Sequence, residues 1–154
     1  SPLEGIENNV FDKIMDVNVK ACFSFAKHCF PFMKEKKNGS IINIASVEGM
    51  KPSLGLGLYG VSKSALIMLT QSQASEWGKY GIRSNAICPG LIKTKFSKAL
   101  WSNEHIMKQV ESHLPLQRAA DPKEIAGLAV YLASQASSYT TGAVLNADGG
   151  HMLT

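Results

Sequence analysis

Metal-ligand patterns are missing from this 154-residue chain: its three cysteines, Cys22, Cys29 and Cys88, contain no Cys-x-x-Cys pair. Cys22 and Cys29 fall on one helical stretch, about 10 Å apart along its axis, which is beyond disulfide reach. They suit a reducing compartment as core-sized apolar residues. His28, His105, His113 and His151 show no ligand spacing either, so no metal site is expected. No apolar run is long enough to cross a bilayer. No signal-peptide core, internal repeat or peroxisomal Ser-Lys-Leu type ending is present. Charge is sparse as well: charged residues make up 18% and the net charge is +4, with the basic residues scattered. Lys34-Glu35-Lys36-Lys37 reads as the solvated end of a helix, its cations favoured by the dipole. Neither a nucleic-acid nor a membrane partner is implied, and a cytoplasmic location is expected.

What is present is a globular composition, 45% hydrophobic, arranged in alternating strand and helix signals. Ser40-Ile41-Ile42-Asn43-Ile44-Ala45-Ser46 is a short apolar, β-branched run, the signature of a strand buried on both faces of a parallel sheet. Glycines and prolines then mark a loop. Val61, Ala65, Leu66, Leu69 and Ala74 recur at helical spacing from about Leu58 to Lys79, where Gly78 and Gly81 stop the pattern. Residues 82–88 read as a second strand ended by Pro89-Gly90, completing a βαβ unit with parallel strands. A long helix is expected from about Asn9 to Lys36, with Phe11, Ile14, Ala21, Cys22, Phe25, Cys29 and Met33 as its apolar stripe. Residues 95–113 read as an irregular helical flap over a pocket. Asp121-Pro122 opens another helix with proline at its first position. Gly142 to Ala147 reads as the last strand.

On this frame Tyr59 and Lys63 lie four apart at the start of a helix, so they are neighbours on one face. Ser46 closes the preceding strand thirteen residues upstream of Tyr59. A phenol is a weak acid-base group at neutral pH, and a nearby ammonium would lower its pKa toward a working value. In open parallel sheets ligands sit beyond the carboxyl ends of the strands, where Ser46, Pro89-Gly90 and the Tyr59 helix start all fall. Asn18 interrupts the apolar stripe of the first helix. A buried amide is costly unless paired, so it either ties two backbone segments together or serves the site.

These elements in this order resemble the carboxyl-terminal part of a short-chain dehydrogenase/reductase. The likeness rests on Asn18 in Asn-Val-Lys, Ser46, the Tyr59-x-x-x-Lys63 pair, Pro89-Gly90 with Thr94, and Asp148-Gly149-Gly150. The sequence from Gly90 to Trp101 is most similar to the carbonyl- and retinal-reducing branch, and the general shape also fits 3-oxoacyl-carrier-protein reductases. The resemblance implies a Rossmann-like, doubly wound α/β parallel sheet, with three strands of its carboxyl-terminal portion in residues 1–154. It implies a nicotinamide-dependent oxidoreductase acting on a small carbonyl or secondary alcohol, with NADP or NAD as cofactor. Tyr59 would exchange the proton, Ser46 would orient the oxygen, and Lys63 would bind the ribose and tune Tyr59. Asn18 would hold a water leading from Lys63 to solvent. Pro89, Gly90, Ile92 and Thr94 would complete the cofactor side together with Tyr59 and Lys63.

The family's opening strand and its Gly-rich phosphate turn are not in these residues. Gly55-Leu56-Gly57-Leu58-Tyr59-Gly60 spells G-x-G-x-x-G, but it does not follow a strand, and Glu76 lies inside a helix, so the fingerprint reading fails. The chain is therefore expected to be the catalytic half of a single Rossmann-like domain without its dinucleotide-binding half. By itself it is expected to bind nicotinamide cofactors poorly. The alternative is a truncated, non-catalytic fragment or interaction module that keeps the triad by descent. The strand containing Ile41 is expected to leave an unpaired edge. Phe23, Phe30 and Phe32 lie off the first helix's stripe, and Ile67, Met68 and Leu69 follow one another on the second. These second faces point to a homodimer or homotetramer, and in the family the two corresponding helices form a four-helix interface.

Overall fold

The computed structural model describes residues 2–154. Three strands, β1 (Gly39–Ile44), β2 (Ile82–Pro89) and β3 (Val144–Ala147), form one parallel sheet in the order β1-β2-β3. β2 is central and its Ile82, Ser84, Asn85, Ala86, Ile87 and Cys88 have no exposed surface. This agrees with the reading of residues 82–88 as a strand. β1 pairs with β2 from Gly39↔Ile82 to Ile44↔Ile87, and its other edge has no strand partner among the described residues. At the end of that edge strand Ile44 is 48% exposed.

The helices are α1 (Asn8–Met15), α2 (Ala21–Lys36), α3 (Gly57–Trp77), α4 (Lys98–Trp101), α5 (Glu104–His113) and α6 (Pro122–Ala133). The last opens as expected from Asp121-Pro122, and the Glu124 carboxylate accepts the Asp121 N–H at 2.8 Å. Glu124 is also held by Arg118 through two bonds of 2.7 and 2.9 Å, which brings its pKa down to about 2. The flap expected over 95–113 is two helices, α4 and α5, parted where Asn103 caps α5 by accepting from the His105 and Ile106 N–H groups.

The first helix departs from expectation in an informative way. A π turn over Asp16–Lys20 joins α1 to α2, with Asn18 at its middle. Such a turn inserts residues into the α-helical ladder, and each residue corresponds to about 100° of rotation. A stripe read at one uniform period therefore does not continue from α1 into α2. Phe25, placed on the buried stripe, is 76% exposed, whereas Phe30, placed off it, is half-buried against Trp77 and Tyr80 at ring distances of 4.7 and 5.6 Å.

Buried polar side chains bind the layers together. Between β1, α3 and β2, Asn43 donates to Thr70 Oγ1 at 2.9 Å and to Gln73 Oε1 at 3.3 Å, and Ser84 donates to the same Gln73 oxygen at 2.9 Å. Asn85 joins β2 to the approach of β3, donating to the Thr140 carbonyl at 2.9 Å and accepting the Ala143 N–H at 3.0 Å. No helix among the described residues is long and apolar enough to cross a membrane.

Candidate active site

β1 and β2 run parallel in register, so Ser46 and the Pro89-Gly90 turn leave the sheet at the same edge. The Ala45 N–H still pairs with the Ile87 carbonyl at 2.8 Å, and Ser46 follows in extended backbone, 7% exposed. Its Oγ accepts the Glu48 N–H at 3.2 Å and so caps a short 3₁₀ turn, Val47–Gly49. That turn is pressed against the start of α3 at two glycines. A Cβ on Gly49 would come within 2.8 Å of the Lys63 backbone, and one on Gly60 within 2.7 Å of the Glu48 carbonyl. Only glycine permits this approach, which brings the strand-end serine up to the helix that carries Tyr59.

Tyr59 stands in the first turn of α3, half-buried. Burial pushes its pKa above the ordinary phenol value, the nearby Ser46 hydroxyl works in the opposite direction, and the Glu48 charge adds to the rise. This corrects the expectation that Lys63 lowers the Tyr59 pKa in this chain. The Lys63 Nζ stands over the Tyr59 ring, 5.6 Å from its centroid, and donates to the Ile44 carbonyl at 2.9 Å. Desolvation is the largest influence on the phenol. Lys63 is itself shifted down by burial, against the influence of Cys22 and Cys88. The Cys88 thiol is pushed up by burial, against a hydrogen bond from the Ser46 backbone.

Asn18 is half-buried and paired. Its Nδ2 donates to Ser62 Oγ at 3.0 Å, and Ser62 Oγ donates to the Tyr59 carbonyl at 2.7 Å. The π turn is thereby tied to the first turn of α3 through a serine with no exposed surface.

On the other side, the Gly90 N–H bonds the Ala147 carbonyl at 3.1 Å, and a Cβ there would lie 2.8 Å from Asp148 Cα. Ile92 makes a parallel bridge with Ala120. Thr94 is folded onto its own loop: its N–H and hydroxyl lie 3.1 and 3.0 Å from Ser97 Oγ, and its carbonyl accepts from Trp101 Nε1 at 2.8 Å. Asp148 closes the last turn, accepting the Gly150 N–H at 2.9 Å and the Met152 N–H at 3.0 Å. The Gly149 and Gly150 φ angles of 66° and 92° explain the glycine pair after it.

Three participants escaped the sequence reading. The Phe96 ring reaches within 6.3 Å of Tyr59 while 85% exposed. Ser62 and Glu48 make the bonds described above. No local periodicity marks them: Ser62 meets Asn18 and Phe96 meets Tyr59 across a long sequence separation, and Glu48 bonds within an irregular loop. The Gly55 to Gly60 run behaves as a loop and helix start, since α3 begins at Gly57 and β1 has ended at Ile44. A cavity of about 300 Å³, lined by Ile6, Val10, Ile14, Leu56, Leu58 and Tyr59 among others, opens beside the phenol. Among the described residues no group of three His, Cys, Asp or Glu could hold a metal ion.

Comparison with known proteins agrees with this geometry. A family described as enoyl-(acyl carrier protein) reductase matches residues 1–152. The chain is 40% identical over 148 residues to dehydrogenase/reductase SDR family member 4 of Oryctolagus cuniculus, covering 96% of this chain and 57% of that protein. It superposes with a TM-score of 0.97 on a gluconate 5-dehydrogenase from Burkholderia cenocepacia in complex with NADP and tartrate, at 30% identity, covering 100% of this chain and 60% of that one. It also superposes on a 4-hydroxyisoleucine dehydrogenase complexed with NADH, with a TM-score of 0.96 at 34% identity, covering 100% and 64%. The chain thus spans about half the length of the curated relatives it matches. With the parallel sheet, the strand-end serine, the Tyr-x-x-x-Lys helix and the closing Asp-Gly-Gly turn in place, the chain belongs to the short-chain dehydrogenase/reductase family.

Proposed function

We propose that the protein carrying this chain interconverts a carbonyl and a secondary alcohol, using NADP or NAD, with Tyr59 as proton donor and acceptor. The observation that carries this reading is the meeting of Ser46, Tyr59 and Lys63 at the carboxyl edge of the sheet, with the Lys63 Nζ 5.6 Å from the Tyr59 ring centroid and bonded to the Ile44 carbonyl. The residues present fit a nicotinamide: a half-buried phenol and amine on α3 on one side, and the Gly90 turn and Ile92 on the other. When bound, the cofactor supplies or accepts the hydride at the substrate carbon. In reduction, the Ser46 hydroxyl orients the carbonyl oxygen and Tyr59 gives it a proton, leaving a phenolate that recovers its proton from solvent. The raised Tyr59 pKa keeps the phenol protonated at neutral pH, the form a donor needs. Lys63 binds the ribose, and Asn18 holds the water that connects Lys63 to solvent. The test is oxidation of NADPH or NADH by a panel of ketones and aldehydes with the intact protein. No carbonyl-dependent oxidation across the panel would overturn the reading.

The protein is further proposed to be a cytoplasmic homodimer or homotetramer. Phe25 and Phe32 on α2 are 76% and 69% exposed, and Val61 and Met68 on α3 are 52% and 61% exposed. Apolar faces of this kind mark contact surfaces. Phe30 is not among them, because it packs on Trp77 within the chain. Phe25→Glu combined with Met68→Glu is expected to reduce the mass seen by light scattering to that of a monomer. An unchanged mass would remove these faces from the interface.

A further inference from the structure

Glu48 has no part in the reaction above, yet it touches three components of the site. Its N–H donates to Ser46 Oγ at 3.2 Å. Its carbonyl lies against Gly60, the residue after Tyr59, so closely that a Cβ there would stand 2.7 Å away. Its half-buried carboxylate takes both donors of Ser53, the N–H at 3.1 Å and the hydroxyl at 2.8 Å. Ser53 belongs to the loop that leads to Leu56, and Leu56 lines the cavity beside Tyr59.

We propose that Glu48 is a positioning residue that locks the cavity loop to the Ser46–Tyr59 pair and sets a negative charge beside the phenol. This rests on Tyr59 being the proton donor. A carboxylate with both oxygens engaged by one serine is held in a single place, so its charge acts on Tyr59 as a fixed field and the loop cannot leave without breaking two bonds. Several groups face Tyr59 from the elements around it. Lys63 stands over its ring from α3, the Ser46 hydroxyl acts on it from the end of β1, and the uncharged Phe96 ring comes from the loop after β2. Glu7, before α1, shares the cavity lining. An anion near a phenol disfavours the phenolate, in keeping with the direction of the Glu48 influence on Tyr59.

Glu48→Gln removes the charge and keeps an amide that can still bond Ser53. The pH at which reductive turnover falls, as Tyr59 loses its proton, is expected to move down, with KM little changed. Glu48→Ala also releases the loop, and KM is expected to rise severalfold while plateau turnover stays near that of the wild type. A readout independent of turnover is the tyrosinate absorbance titration, taken as the difference between each protein and its Tyr59→Phe counterpart. It should show the same downward shift in Glu48→Gln. Glu7→Gln is the control for cavity charge in general, and it should leave the limb in place. An active Glu48→Gln enzyme with an unmoved limb and titration, or an equal shift from Glu7→Gln, would overturn this inference and leave the role of Tyr59 standing. A wild-type protein without carbonyl reductase activity would overturn both.

Discussion

Tyr59→Phe is expected to lower carbonyl-reducing turnover by about 10²–10⁴-fold, the usual contribution of a positioned general acid. The substitution deletes one hydroxyl and keeps the ring. Loss of one half-buried hydroxyl costs about 1 kcal/mol of stability at most, so the folded protein persists and the missing activity is chemical. Steady-state rates and a thermal melt on the same preparation separate the two. Ser46→Ala should also cost heavily, because the substrate oxygen then loses the donor that orients it. Turnover of Tyr59→Phe at the wild-type rate would show that the proton comes from another group.

Asn85→Ala is expected to produce the largest loss of stability, roughly 1–4 kcal/mol, because it leaves two part-buried backbone groups without their partner at once. The Asn85 side chain satisfies the Thr140 carbonyl and the Ala143 N–H, and the residue itself has no exposed surface. Asn85→Leu fills nearly the same space without satisfying either group, so it should be destabilised similarly. That result would separate the polar contribution from a cavity. Urea unfolding should show a lower midpoint with an unchanged slope. A loss below about 1 kcal/mol for both variants would mean that the Thr140–Ala143 segment finds other partners.

Much of the site was legible because its parts are local. Tyr59 and Lys63 share a helix face by spacing alone, and Ser46 follows an apolar, β-branched run that forms a strand, though a half-buried edge strand and not one buried on both faces. The Pro89-Gly90 stop and the Asp121-Pro122 start are punctuation that acts within a few residues. The strand expected to close at Ser46 ends two residues earlier, at Ile44. There the Ser46 side chain leaves the sheet to cap the following turn. The last strand likewise begins at Val144, since Ala143 pairs with the Asn85 side chain as well as with the β2 backbone.

Other features were decided by tertiary structure. The π turn at Asp16–Lys20 changes the phase of the first helix, and no residue pattern announces it; Asn18 at its centre becomes meaningful only once Ser62 lies 3.0 Å away. The partition of phenylalanines into the half-buried Phe30 and the exposed Phe25 follows from that phase. The direction of the Tyr59 pKa shift is likewise a property of the assembled site. Spacing places an ammonium near the phenol and argues for a fall, whereas burial by distant elements and the Glu48 charge produce a rise. The physical division is one of range. Spacing along the chain determines the strand and helix types and the Ser46, Tyr59 and Lys63 constellation, because backbone periodicity and turn chemistry act over a few residues. Desolvation, close glycine contacts and helix phase depend on groups brought together from far apart in sequence, so they exist only in the folded protein.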